Sequence, residues 1–141
     1  MENKTFKSLI DSAPEQVWNT LLGENTYPQW TSVFAEDSRV ETDWHEGSRA
    51  FFLDGNGNGL GSVIAQNIPN QFLSIKHLTE FKEGVEYDNA SWSGAMENYT
   101  LKELNGKTEL VVEMDISEEC IEYFNTAWPK ALEKVKELAE K

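Results

Sequence analysis

The chain is poor in the residues that build the commonest catalytic and metal centres. Its 141 residues include one cysteine, two histidines and four prolines. A lone Cys120 excludes an internal disulfide and a cysteine metal site. His45 and His77 stand far apart with no second ligand beside either, so no metal is expected. There is no glycine-rich phosphate loop, no Gly-x-Ser-x-Gly and no His-Glu-x-x-His, and no cofactor is expected. No stretch approaches the roughly 18 apolar residues that cross a bilayer. Met1 to Ile10 carries Glu2, Lys4 and Lys7 and lacks the apolar core of a secretory signal. The expected compartment is therefore the cytoplasm, where the Asn89-Ala90-Ser91 and Asn98-Tyr99-Thr100 sequons carry no glycan. Basic residues are outnumbered 12 to 25, for a net charge of -13. That field repels phosphate backbones and anionic lipid, which argues against nucleic acid and membrane partners.

What the chain does have is apolar and aromatic bulk. Of its residues 39% are hydrophobic and 11% aromatic, with five tryptophans. A length of 141 residues suits one domain spanning 1–141, and a chain of this size buries roughly 70% of its unfolded surface without staples.

The patterning alternates between two periods. Phe6, Ser8 and Ile10 alternate with Thr5, Lys7 and Leu9 as a first strand. Ser12 and Glu15 have capping-box spacing, and Pro14 suits a first helical turn before Val17, Trp18, Leu21 and Leu22. Gly23 ends this short helix, and Tyr27 to Phe34 reads as a second short helical piece or a turn. Period two then takes over. Val40 to Trp44, Arg49 to Leu53, Leu60 to Ile68 and Phe72 to Leu78 read as strands, with a hairpin loop at Gly55–Gly59. Glu83 to Gly94 is a polar connection that holds Trp92. Ala95 to Leu104 and Thr108 to Ile116 pair across Asn105-Gly106, a strong hairpin signal. Leu110, Val112, Met114 and Ile116 give the last strand one buried face. From Ser117 onward Ile121, Phe124, Trp128, Leu132, Val135 and Leu138 form a helical stripe, with Ser117 as its cap. Pro129 lies inside this helix and predicts a kink or restart there.

That order of elements resembles the START-like (SRPBCC, birch-pollen-allergen) superfamily, also called helix-grip. Ala13-Pro14-Glu15-Gln16-Val17-Trp18 followed by Leu21, then Tyr27-Pro28-Gln29-Trp30, resemble the opening helices of one branch. Gly61 and Val63 with Pro69 and Leu73, Gly106-x-Thr108-x-Leu110, and Trp128 with Leu132 resemble its later elements. That branch is the one named for its likeness to the activator of heat-shock-protein-90 ATPase. Two positions depart from the branch. Ala127 stands where glycine often precedes the helical tryptophan, and His77 where an inward tryptophan often ends the fifth strand. The resemblance implies an α+β fold: a curved seven-stranded antiparallel sheet with two short helices and a long C-terminal helix on its concave face.

Such a sheet tends to leave a cavity under its helix. Trp30, Phe34, Phe51, Leu53, Ile75, His77, Phe81, Trp92, Tyr99, Met114, Phe124, Trp128 and Leu132 are the candidate lining residues. They either surround a small hydrophobic ligand or fill the interior at ordinary packing density. His77 shares strand parity with Leu73 and Ile75; it either orients a ligand or is a hydrogen-bonded core histidine. Asp54-x-Asn56-x-Asn58-Gly59 imitates half a calcium loop. Its twelfth position is Ala65 where a bidentate glutamate is needed, and the Gly/Asn-rich hairpin reading is favoured. Cys120 opens the last helix, but Glu118, Glu119 and Glu122 oppose a thiolate. Three functions follow. The first is binding of a small hydrophobic, aromatic or lipid-like molecule. The second is a polyketide-cyclase-like enzyme that uses His77 and Tyr99. The third is a co-chaperone-like module with a protein partner. Many candidate cavity aromatics and no catalytic constellation favour binding.

Overall fold

The structure is a computed structural model that describes residues 1–88 and 90–141; the sequon at Asn89 therefore begins outside the described residues. The elements run β1 (Glu2–Ile10), α1 (Pro14–Leu22), α2 (Tyr27–Thr31), β2 (Arg39–Glu41), β3 (Arg49–Leu53), β4 (Gly59–Ile68), β5 (Phe72–Lys82), β6 (Val85–Tyr87), β7 (Met96–Leu104), β8 (Lys107–Ile116), a 3₁₀ turn (Glu118–Cys120) and α3 (Ile121–Ala139). The strands form one antiparallel sheet in the order β1-β8-β7-β5-β4-β3-β2, the seven expected. An eighth strand, β6, pairs only with the far end of β5, from Glu80↔Tyr87 to Lys82↔Val85. The sheet is curved, with α3 across its inner face. There the Trp128 ring centroid lies 5.9 Å from that of Phe6 on β1 and 6.2 Å from that of Tyr99 on β7.

Local chemistry explains most of the elements. β8 buries Thr108, Leu110, Val112, Met114 and Ile116 and leaves their neighbours less covered, so its period of two is complete. Asn105 (φ 53°) and Gly106 (φ 83°) both take positive φ, the requirement of a two-residue type I′ hairpin. On α3 the stripe buries Ala127, Trp128, Ala131, Leu132, Val135 and Ala139. β1 pairs with β8 from Glu2↔Ile116 to Ile10↔Thr108, which joins the first strand to the last.

Several sequence expectations need correction. α1 is preceded by Ala13 with no side-chain cap; the Ser12 carbonyl instead accepts the Thr108 hydroxyl at 2.7 Å. Ser117 likewise makes no side-chain cap. β2 stops at Glu41, since Trp44 turns to φ 63° and its N–H donates to the Thr42 hydroxyl. β5 runs past Leu78 to Lys82, and part of the polar connection after it is β6. The last helix begins with a 3₁₀ turn and then runs unbroken through Pro129, without a restart. Among the described residues, no helix is long and apolar enough to cross a membrane.

Candidate functional site

Between the sheet, α2 and the first half of α3 lies a cavity of about 490 Å³. Its walls come from named elements. α2 offers Tyr27 and Trp30, and the segment after it Phe34. β3 offers Phe52 and Leu53, β5 Leu73, Ile75 and His77, β7 Glu97 and Tyr99, and β8 Met114. α3 closes it with Phe124 and Trp128. All five tryptophans of the chain (Trp18, Trp30, Trp44, Trp92 and Trp128) border this one space. Trp128 is the hub. Its ring lies 4.9 Å from Phe34 and 6.0 Å from Trp30, centroid to centroid, and its indole N–H points to the Met114 sulfur at 2.8 Å.

Ten of the expected lining residues meet here: Trp30, Phe34, Leu53, Ile75, His77, Trp92, Tyr99, Met114, Phe124 and Trp128. Phe51, Phe81 and Leu132 do not. Phe51 packs edge-on against Phe81 at 5.8 Å, under the Arg49 guanidinium, away from the cavity. Ala50 is fully buried and its alternate Phe52 reaches the cavity, while Phe51 takes the opposite face; Leu53 shares the parity of Phe51 but, as the last residue of β3, still borders the cavity. Leu132 is one turn beyond Trp128, where α3 faces Thr5, Phe6, Lys7 and Ser8 of β1.

The sequence reading also missed the group that gives the cavity its polar pole. Glu97 shares β7 parity with Tyr99 and Leu101, and so points inward. That carboxylate on the buried parity was the available signal. His77 Nε2 meets Glu97 Oε1 at 2.9 Å, and the Tyr99 hydroxyl donates a short hydrogen bond to Glu97 Oε2. His77 Nδ1 meets the Ser62 hydroxyl at 2.7 Å. With Glu97 ionised, His77 donates from Nε2, which leaves Nδ1 to pair with Ser62. Burial pushes the Glu97 carboxyl up, but the hydrogen bond and charge of His77 and the hydrogen bond from Tyr99 outweigh it. The carboxyl is held below the ordinary glutamate value. Burial, followed by the charge of Glu97, pushes the Tyr99 phenol well up. The same two causes push the Tyr27 phenol far up.

Ser62, His77 and Glu97 form a serine–histidine–acid line, yet it does not amount to a nucleophilic triad. Ser62 is 0% exposed and absent from the cavity wall, so its hydroxyl cannot meet a substrate there; it orients the His77 ring. The Asp54 carboxylate is engaged by the backbone N–H groups of Asn56 and Asn58 at 2.8 and 2.9 Å, the bonding of a tight hairpin loop. Among the described residues, no three His, Cys, Asp or Glu side chains converge as a metal site would require.

The sequence profile of the Activator of Hsp90 ATPase homolog 1-like proteins matches residues 11–140. The chain belongs to that family. Protein MLL2253 from Mesorhizobium loti shares the fold with a TM-score of 0.77 at 17% identity, over 97% of this chain and 96% of its own. The Aha1 dimer from Colwellia psychrerythraea gives a TM-score of 0.77 at 19% identity, over 99% and 97%. CalU16 from Micromonospora echinospora gives 0.69 at 17% identity, over 97% of this chain and 75% of its own. No curated protein matches the chain. At these identities the likeness is one of fold, and it agrees with the helix-grip architecture expected from the motifs.

Proposed function

We propose that the protein binds one small, mostly apolar molecule, aromatic or lipid-like, in the cavity under α3. The carrying observation is the cavity itself: about 490 Å³, walled largely by aromatic and aliphatic side chains, with a few polar groups that include the bonded set His77, Glu97 and Tyr99. Ligand sites typically measure roughly 300–1,000 Å³ and combine an apolar wall with a few placed polar groups. A core built only for stability closes such a space, because unfilled volume forfeits dispersion contacts and destabilises the fold. Here five indoles border a space that they leave unfilled. Family membership supports a fold of this kind without naming a ligand.

The test is a two-dimensional NMR screen against aromatic and lipid-like compounds. The indole N–H signals are natural reporters, since every tryptophan borders the cavity. Binders are expected to shift the Trp30, Trp92 and Trp128 signals and to leave the amides of Phe51 and Phe81 in place. An apolar library that moves no indole signal would overturn the proposal.

A further inference from the structure

The cavity's polar pole is asymmetric in hydrogen-bonding terms, and that asymmetry narrows the head group it can take. Glu97 accepts from His77 and Tyr99, one bond to each oxygen. A carboxylate offers about four lone-pair sites, so it retains acceptor capacity. His77 spends both ring nitrogens, on Ser62 and Glu97, and Tyr99 spends its proton on Glu97. None of these three can donate to a ligand. Tyr27, on α2, is different. It lines the same space, and among the described residues its hydroxyl makes no hydrogen bond. Its ring is fixed by neighbours, 5.6 Å from Trp30 and 6.5 Å from Phe52, and Phe52 in turn lies 6.0 Å from the His77 ring. Burial first, and the charge of Glu97 second, raise the Tyr27 phenol.

At Glu97 and Tyr27 the cavity thus presents spare acceptor capacity and an unspent donor, in an acidic setting. Asp54 and Asp115 also border it. The bordering guanidinium, Arg39, is occupied by the Asp54 carbonyl at 3.0 Å and by Glu41 at 3.4 Å. An anionic head group placed at Glu97 would meet like charge there. A bare hydrocarbon would leave Tyr27 and Glu97 unanswered.

We propose that the bound molecule is a neutral aromatic carrying a hydroxyl, which donates to Glu97 and accepts from Tyr27. This rests on the binding reading above and adds the chemistry of the head group. The step costs no proton transfer: both groups act in the protonation states in which the fold already holds them.

Three probes of one ring size separate the cases: naphthalene, 2-naphthol and 2-naphthoate, titrated by calorimetry and tryptophan fluorescence at pH 7. Hydrogen bonds to charged groups are worth enough that 2-naphthol should bind about tenfold or more tighter than naphthalene, with 2-naphthoate weakest. Tyr27→Phe removes a hydroxyl with no protein partner and so should leave the fold intact. It should lower the ratio of naphthol to naphthalene affinity severalfold. Glu97→Gln should bring naphthol and naphthoate close together. Naphthalene and naphthoate binding as well as naphthol, or an unchanged ratio in Tyr27→Phe, would overturn the head-group proposal and leave the binding reading standing. No binding by any of the three would overturn both.

Discussion

At the scale of single residues, the cavity depends on a buried charge held by its neighbours. A buried carboxylate is costly unless bonded, and Glu97 is bonded by His77 and Tyr99. Its folded-state value is depressed. The stability it contributes is therefore fully present above the unfolded value of about 4.3, and is lost as the pH falls through the lower folded value. Replacing His77 with Phe removes two of the influences that lower it and leaves burial to act. Carboxyl titration by carbon-detected NMR should then show Glu97 titrating above its wild-type value. Urea unfolding at pH 7 should show a loss of about 1–3 kcal/mol, the cost of a buried group left short of partners. A Glu97 titration that does not move in the variant would mean that His77 does not hold it.

Elements carry the next lesson, and β3 with β4 carries most of it. Gly59, which opens β4 against Leu53, sits so close to β3 that an added Cβ would lie 1.8 Å from the Phe52 carbonyl oxygen. Gly59→Ala must therefore push apart the strand end that carries Phe52 and Leu53 into the cavity wall. The expected cost is about 1–3 kcal/mol by urea unfolding, with weakened binding of any cavity ligand. The same strands show what a sequence can and cannot tell. β8 and α3 were legible because each buries one face, so that periodicity alone assigns their residues. β3 was not, because Ala50, Phe51, Phe52 and Leu53 are all apolar and either parity looks buried. Irregular register between Gly61 and Ser62 and between Ile64 and Gln66 further decouples side-chain face from sequence count. Glu97 was missed for a different reason. Its parity with Tyr99 and Leu101 was visible, but a carboxylate reads as solvated until its partner is known, and that partner, His77, lies 20 residues earlier on the paired strand β5. The motif set could predict the sheet and its grip on α3, while β6, in a polar connection, had no apolar pattern to announce it.

On the scale of the whole molecule, two properties follow from charge and connectivity. A net charge of -13 on 141 residues means that the compact state repels itself. Raising salt shortens the Debye length from about 30 Å at 0.01 M to about 10 Å at 0.1 M, and the melting temperature should rise by about 2–5 °C over that range. A fall would show that specific ion pairs outweigh the general repulsion. Connectivity has a consequence in time. β1 and β8 are partners in space, Glu2 beside Ile116, yet they stand at opposite ends of the chain. The β7–β8 hairpin closes locally over Asn105-Gly106 and can form early; β1 has no edge to join until it exists. Joining them means closing a loop of nearly the whole chain, which sheet topologies do in roughly milliseconds to seconds. Pulse-labelled hydrogen exchange during refolding should thus protect β7 and β8 amides before those of β1. Because Phe6 of β1 stacks on Trp128, that cavity residue gains its β1 neighbour only at the last step. During synthesis β1 is made before β8 and would then be seated after it, and until it is, the half-made sheet offers β8 as an unpaired edge to any neighbouring chain.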